Sequence, residues 1–325
     1  MFQRKLLIGL MSVVVSASAA CDADVEQVTA RTGSGSCSMW RCGFNAADAN
    51  GRSLQELHLG GQPNSDGVKL VGFVAPPLTL LGGYTLAVEN DELVARRGAS
   101  KLRRQQLVGS TILVQVQLGL VLPITIAGYE AVPSWADGGA PISAYTLVYP
   151  EVSALLGVKN VCSGSLLDPL AAAVTVLGGE TYDAASKTVE PGRTGWFTLA
   201  CAGSAAAKIK LLGYGPQSKF PGTNQPASVA ARQATLKMLT ADYCGHGHSY
   251  TANGTPVVWQ NHAGTVDSSD LHTPDAVEAV WTANGAVCLD ATRLTDAAVA
   301  CELPTCAGLD LSAGTEWITH TVLAE

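Results

Sequence analysis

Residues 110–126, STILVQVQLGLVLPITI, decide the fold class because they hold two strand patterns in one stretch. Around Gln115 and Gln117, apolar and polar side chains alternate, which is the period-two pattern of a half-buried β-strand. Beyond these residues the stretch becomes continuously apolar, as a strand does when it enters a core. Gln115, Gln117 and Pro123 interrupt the apolar run, so it predicts strands and not a membrane-spanning helix.

Further strand-like runs flank this stretch on both sides. They are residues 67–74 (GVKLVGFV), 84–98 (YTLAVENDELVARRG) and 142–152 (ISAYTLVYPEV). Within the second run, Glu89, Asn90 and Asp91 predict a hairpin turn. The sequence therefore predicts a β-rich N-terminal domain over residues 21–150.

The remaining residues, 151–325, predict a domain that mixes helices with strands. A short helix is expected after Ser204, because serine is a favoured N-cap residue. A longer main helix is expected over residues 227–244, with Pro226 in its first turn and Gly245 just past its end.

Two Asn-Gly pairs in the C-terminal part, Asn253-Gly254 and Asn284-Gly285, each predict a hairpin. Such pairs suit two-residue hairpin turns, in which both residues adopt positive φ. The predicted fold class is therefore strand-dominated α+β. It has a β-rich N-terminal part and a disulfide-stabilised C-terminal part with one main helix and two Asn-Gly hairpins.

Residues 1–20 have the pattern of a signal peptide: a charged pair, an apolar run and a stretch of small residues. Cleavage after Ala20 would leave Cys21 as the first residue, which is the lipidated position of a lipoprotein. Cleavage after Ala19 would give an ordinary exported chain, and both alternatives stay open. Either one predicts a protein of the periplasm, the outer surface or the extracellular space, with no transmembrane helix in the mature chain.

The charge balance excludes one class of partner. Without the two basic residues of the predicted signal, 20 − 2 = 18 Lys and Arg face 27 Asp and Glu, a net charge of −9. Such a chain has no overall attraction for nucleic acid. The basic residues concentrate in one segment, residues 95–106 (ARRGASKLRRQQ), which we expect to be a solvated loop. The sequence predicts no cofactor.

The cysteine count favours structural disulfides. Nine cysteines are present, and setting Cys21 aside leaves an even set of eight, as expected for an oxidising compartment. Proximity and strand placement favour the following pairs: Cys37 with Cys42, Cys162 with Cys201, Cys244 with Cys288, and Cys301 with Cys306. Eight cysteines allow roughly a hundred arrangements, so these pairings are predictions only.

Residues 240–255, TADYCGHGHSYTANGT, carry the main candidate for chemistry. If the segment were extended, Cys244, His246 and His248 would point to one face and could bind a metal ion. Cys244 could alternatively be a nucleophile activated by a histidine. Its position at a helix C-terminus disfavours the thiolate, however. The sequence therefore favours the third interpretation, a structural disulfide at Cys244.

The motifs in this region carry a family resemblance. Ala-Asp-Tyr-Cys at Ala241–Cys244, Gly-Thr-Pro at residues 254–256 and Gly-Ala-Val-Cys at residues 285–288 resemble the bacterial ADYC-domain family over roughly Cys201 to Cys306. The resemblance implies an exported, cysteine-containing protein and no particular activity. It also implies that relatives carry Asp in place of His246, which weakens the metal-site interpretation.

Two functional hypotheses follow from these observations. The first is a disulfide-stabilised binding or structural module of the cell envelope or the extracellular space. The alternative is a secreted hydrolase or metal-dependent enzyme that uses Asp242, Cys244, His246 and His248. The sequence favours the non-enzymatic hypothesis because it contains none of the motifs typical of hydrolases or phosphate-binding enzymes.

Overall fold

A computed structural model describes most of the chain. The described residues are 39–41, 46–76, 83–116, 119–151, 154, 157–162, 172–294, 298–308 and 314–322. The expected signal peptide and the predictions for Cys21, Cys37 and Cys42 lie outside these residues.

The described residues form nineteen β-strands and two α-helices. In chain order the elements are β1 Asp48–Ala49, β2 Arg52–Ser53, β3 Glu56–His58, β4 Lys69–Val74, β5 Thr85–Glu89, β6 Glu92–Arg97, β7 Ser100–Arg103, β8 Thr111–Gln115, β9 Val121–Val132, β10 Ile142–Pro150, β11 Val158–Asn160, β12 Val174–Gly178, β13 Glu180–Asp183, β14 Thr188–Pro191, β15 Trp196–Cys201, α1 Ala205–Leu211, α2 Val229–Thr240, β16 Val258–Asn261, β17 Pro274–Thr282, β18 Gly285–Leu289 and β19 Trp317–Val322. A 3-10 turn, Arg104–Leu107, follows β7. The strand-dominated α+β fold class is confirmed.

An antiparallel eight-stranded sheet organises the molecule, in the order β3-β15-β12-β10-β9-β8-β4 with β11 on β10. Along each strand, side chains alternate between two hydrophobic cores, because successive strand residues point to opposite faces of the sheet. Val176 and Leu199 belong to one hydrophobic cluster, together with residues of the β5-β6-β7 sheet. Leu177 and Ala200 belong to a second cluster, which they share with both helices and the β16-β19-β17-β18 sheet.

The eight-stranded sheet crosses the domain boundary that the sequence suggested at residue 150. Strands β11, β12 and β15 come after that residue, yet they pair in the same sheet as β4, β8, β9 and β10. Strand β10 itself ends at Pro150 and pairs with β12, which begins at Val174. The large sheet therefore contains strands from before and from after residue 150.

Both helices begin after a serine cap, and the first of these caps, Ser204, is the one that the sequence favours. The hydroxyl oxygen of Ser204 accepts a hydrogen bond from the Ala207 amide, and that of Ser228 accepts one from the Ala231 amide. The second helix is shorter than expected: it begins after Ser228, so Pro226 precedes its cap, and it ends at Thr240. No described helix is long and apolar enough to cross a membrane.

The hairpin predictions have mixed outcomes. Asn90 and Asp91 both adopt positive φ between β5 and β6, as a tight hairpin turn requires. Gly285 lies in a hairpin between β17 and β18, although only the glycine of this Asn-Gly pair has positive φ. The first Asn-Gly pair forms a turn at residues 253–254, but no strand precedes it, so this predicted hairpin is wrong.

The basic segment 95–106 is not a loop, which corrects the sequence-based expectation. Its residues form the end of β6, strand β7 and the 3-10 turn. Three of its cations, Arg96, Lys101 and Arg103, contact the carboxylate of Glu89. These ion pairs compensate part of the positive charge that the sequence alone presents as a free basic run.

Three disulfides lie in the described residues. Cys162 pairs with Cys201, as the sequence favoured, with a Cα–Cα distance of 5.7 Å. Two expected pairs, Cys244 with Cys288 and Cys301 with Cys306, are wrong, because the structure joins Cys244 to Cys301 and Cys288 to Cys306. Strand register explains this difference.

Within β17-β18, Cys288 lies opposite Val280 in the register. Both belong to a small hydrophobic cluster with Cys306. The neighbouring residue Trp281 belongs to the helix-side core instead, and Tyr243 of the ADYC motif packs there with it. Cys288 is therefore on the strand face that turns away from Cys244.

Candidate functional site

The ADYC motif forms the turn that ends α2, and residues 241–247 are called the ADYC turn below. Ala241 has left-handed backbone angles (φ 49°, ψ 42°). The Asp242 amide donates to the Lys237 carbonyl oxygen at 2.9 Å, and the Ala241 amide donates to Met238 at 3.2 Å. These two bonds are the Schellman pattern of a helix C-terminus. The motif thus begins as a helix-ending turn with alanine where glycine is commoner.

Asp242 is a buried carboxylate whose main partner is a buried lysine. Its Oδ2 accepts from Lys237 Nζ at 2.6 Å and from the Gly247 amide at 2.7 Å. Lys237 Nζ also donates to the carbonyl oxygens of Ser186 and Gly245, at 2.9 and 3.0 Å. All three ammonium hydrogens are therefore used within the fold. The ion pair ties the end of α2 to the β13-β14 turn.

Tyr243 is the second buried polar residue of the motif. Its hydroxyl donates to Glu278 Oε1 at 2.6 Å and accepts from the Arg293 amide at 2.9 Å. Arg293 Nε completes the triangle with bonds of 2.8 and 3.1 Å to the Glu278 carboxylate. Burial, followed by the nearby charge of Glu278, raises the pKa of Tyr243 far above its ordinary value. The phenol therefore stays protonated and works as a hydrogen-bond donor.

Two glycines allow the ADYC turn to approach neighbouring backbone. A Cβ on Gly245 (φ 72°) would lie 2.0 Å from the Asn284 carbonyl oxygen. A Cβ on Gly247 (φ 88°) would lie 2.1 Å from the Ala185 carbonyl oxygen. Only glycine fits at both contacts. The turn is therefore clamped between the β17-β18 hairpin and the β13-β14 turn.

The residues proposed for chemistry do not assemble into a reactive site. Cys244 is bonded to Cys301, so in this form it has no thiolate for attack or for metal binding. His246 shares an open cleft of about 620 Å³ with Cys244 and is exposed. His248 is also exposed, and its ring packs edge-on against Tyr250 with 4.4 Å between the ring centroids. Within the described ranges, no group of three or more His, Cys, Asp or Glu side chains could hold a metal ion.

Sequence reasoning missed the partners that give the motif its role. These partners are Lys237 for Asp242, and Glu278 and Arg293 for Tyr243. Glu278 and Arg293 are 35 and 50 residues from Tyr243 in the sequence. No local spacing rule connects residues so far apart. Lys237 could have been found, because it lies five residues before Asp242 at a predicted helix end.

A second buried lysine lies outside the ADYC turn. Lys210 of α1 donates to the Asp91 carbonyl oxygen at 2.5 Å, to Thr175 Oγ1 at 2.8 Å and to the Val176 carbonyl oxygen at 2.9 Å. Burial lowers its pKa to about 8. Asp91 in turn accepts from the Gly178 amide at 2.9 Å. This lysine therefore joins the β5-β6 hairpin, the large sheet and α1.

Comparison with known proteins identifies the family. The ADYC domain family matches residues 104–295, which is 192 of 325 residues. The match begins well before Cys201, where the resemblance in the motifs begins, and so includes most of the large sheet. No curated protein and no solved structure matches the chain. With its motif at the end of α2 and more than half of its length matched, the chain belongs to the ADYC domain family.

Proposed function

We propose that this ADYC-domain protein is exported by a bacterium and acts in the cell envelope or outside the cell as a disulfide-stabilised binding module. Residues 1–20 would be its signal peptide, and Cys21 is the candidate site of a lipid anchor. The eight remaining cysteines would then form four disulfides in an oxidising compartment, where disulfides persist.

One observation carries this proposal: Asp242 and Tyr243 of the ADYC motif are buried and bonded to charged residues inside the fold. Asp242 and Tyr243 are 0% and 1% exposed, and both bond to buried charged partners. A catalytic acid or base must reach the proton that it transfers. Residues in these positions support the fold instead, so the alternative of a hydrolase or metal-dependent enzyme loses its central residues.

Support for export comes from the disulfides. The three bridges close loops of 39, 57 and 18 residues. Such bridges are rare in the reducing cytosol and common in secreted proteins. The acidic net charge and the ion-paired basic segment are consistent with a partner that is not nucleic acid.

The test is to express the full chain with a C-terminal tag in a Gram-negative host, separate the cell fractions and measure the intact mass of the purified protein. We expect a chain that begins at residue 20 or 21, in the periplasmic or membrane fraction. Lipidation at Cys21 would add mass and hold the protein in the membrane fraction, and Cys21→Ser would release it. A cytosolic chain that begins at residue 1 or 2, with reduced cysteines, would contradict the proposal.

A further inference from the structure

A cavity of about 280 Å³ lies beside the ADYC turn, on the helix side of the large sheet. Its walls come from strands β13 and β15, the start of α1 and the end of α2. The apolar part of the wall includes Tyr182, Leu199, Ala200, Ala205, Ala206 and Leu236. We call this space the side cavity.

Two residues that flank the ADYC turn line one side of the side cavity. Thr240, just before the turn, and Ser249, just after it, both line the cavity. The Ser249 hydroxyl donates to the Thr240 carbonyl oxygen at 2.7 Å, which holds the two ends of the turn together. This hydrogen bond therefore holds two residues of the cavity wall together.

The hydroxyl groups of Tyr182 and Thr240 in this wall already have partners. The Tyr182 hydroxyl donates to the buried carboxylate of Glu180. The Thr240 hydroxyl donates to the Leu236 carbonyl oxygen at 2.8 Å. Most of the lining surface is apolar, so the side cavity suits a largely apolar occupant.

The mouth of the side cavity offers one neutral polar group. The side-chain amide of Gln55 has no hydrogen-bond partner in the part of the chain that the structure describes, whereas Asp183 and Lys187 at the same mouth do have partners. A carboxamide both donates and accepts, so it can bind a hydroxyl or a carbonyl group. The arrangement resembles a small-molecule site, which combines an apolar lining with few polar groups.

The volume limits the size of the occupant. A dry cavity of roughly 150 Å³ is sufficient for one benzene ring. A space of about 280 Å³ is nearly twice as large, so it suits a molecule of roughly ten non-hydrogen atoms. A long acyl chain would not fit inside it.

We propose that the side cavity is a binding site for a small, uncharged, largely apolar molecule with a single hydroxyl or carbonyl group, which bonds to the Gln55 amide. This inference rests on the proposed function and names the ligand class of the binding module.

The test uses 1-naphthol, a neutral fluorescent probe of suitable size, with the purified, disulfide-intact protein. We expect saturable binding that 1-nonanol reverses by competition. Ala205→Leu, which places a larger side chain in the cavity wall, should weaken binding roughly tenfold or more. Ala230→Leu is the matched control, because Ala230 lies on the surface of α2 beside the other, open cleft. It should leave binding unchanged.

A second variant keeps the test decisive if Ala205→Leu fails to fold. Gln55→Leu should reduce the preference for 1-naphthol over 1-methylnaphthalene, because only the naphthol can bond to the amide. Absence of saturable binding to folded wild-type protein, or equal weakening by Ala205→Leu and Ala230→Leu, would overturn the inference. Either result would leave the proposed function standing, since that depends on the cell fraction and the mature mass.

Discussion

Two sets of ion pairs in this protein use similar residues in opposite surroundings. On the β5-β6-β7 sheet, Glu89 contacts three cations whose side chains are 35% to 48% exposed. Beneath the ADYC turn, Lys237 and Asp242 are 4% and 0% exposed. Exposed pairs stabilise proteins by roughly 0 to 1 kcal/mol. Removal of one partner from a buried pair costs roughly 3 to 5 kcal/mol, because the other charge is left without compensation.

This comparison explains what the ADYC motif does. Substitution of Asp242 or Tyr243 is expected to lower the free energy of unfolding, because both residues are bonded to buried charged groups. A second buried group, Glu278 with Arg293, holds Tyr243 in the same way. The motif is therefore expected to tolerate few substitutions on structural grounds alone.

The largest effect is expected from Asp242→Ala. This change leaves the buried Lys237 ammonium without its carboxylate, so the free energy of unfolding should fall by roughly 3 to 5 kcal/mol. Urea denaturation at neutral pH measures the change. Asp242→Asn, which keeps the shape, separates the loss of charge from the loss of packing. Asp270→Ala, at an exposed site, is the control; a similar loss there would remove the distinction between buried and exposed positions.

The next largest effect is expected from the double variant Cys244→Ser/Cys301→Ser. The bridge joins residues separated by 57 positions, and the chain-entropy model gives a stabilisation of about 4 kcal/mol for such a loop. Cys288→Ser/Cys306→Ser opens a loop of 18 positions and should cost about 1 kcal/mol less on the same model. Equal losses in urea denaturation would show that loop length does not govern these bridges.

Glu89→Gln should have a small effect at neutral pH, about 1 kcal/mol or less, because its partners are exposed. Hydrogen bonding to Arg96, followed by Lys101, lowers the pKa of Glu89 from 4.5 to about 2. A lowered carboxyl pKa stabilises the folded state above the ordinary value and loses this effect as the pH falls. The difference between wild type and variant should therefore disappear between about pH 4.5 and pH 2. A difference that grows with acidification would contradict this assignment.

The smallest effect is expected from His246→Asp. The imidazole is exposed and has no metal partner set in the described residues. The free energy of unfolding should change by about 0.5 kcal/mol or less. Thermal unfolding with and without a chelator should give the same midpoint for both proteins. Destabilisation of wild type by the chelator, absent in the variant, would revive the metal-site interpretation.

Sequence patterns predicted the local structure of this protein well. The alternation around Gln115 predicted β8, and Ser204 caps the first helix as predicted. These features depend on neighbours within a few residues. The turn at Asn253 failed as a hairpin because no strand precedes it, and a dipeptide carries no information about that.

Long-range partners could not be predicted. The pairing of Cys244 with Cys301 depends on which face of β18 carries Cys288, and the β17-β18 bulge after Val280 sets that face. Tyr243, Glu278 and Arg293 meet because the four-stranded sheet packs on α2. The sequence offers the residue types of the site, but only the packing of its elements shows which ones meet.

The central claim is that the ADYC motif builds the fold and performs no chemistry at Cys244. The most direct measurement is a non-reduced peptide map of the protein taken from its native cell envelope. The account predicts a cross-linked peptide that contains Cys244 and Cys301. A free Cys244 thiol, with the other cysteines paired, would contradict the account and return the motif to the candidates for catalysis or metal binding.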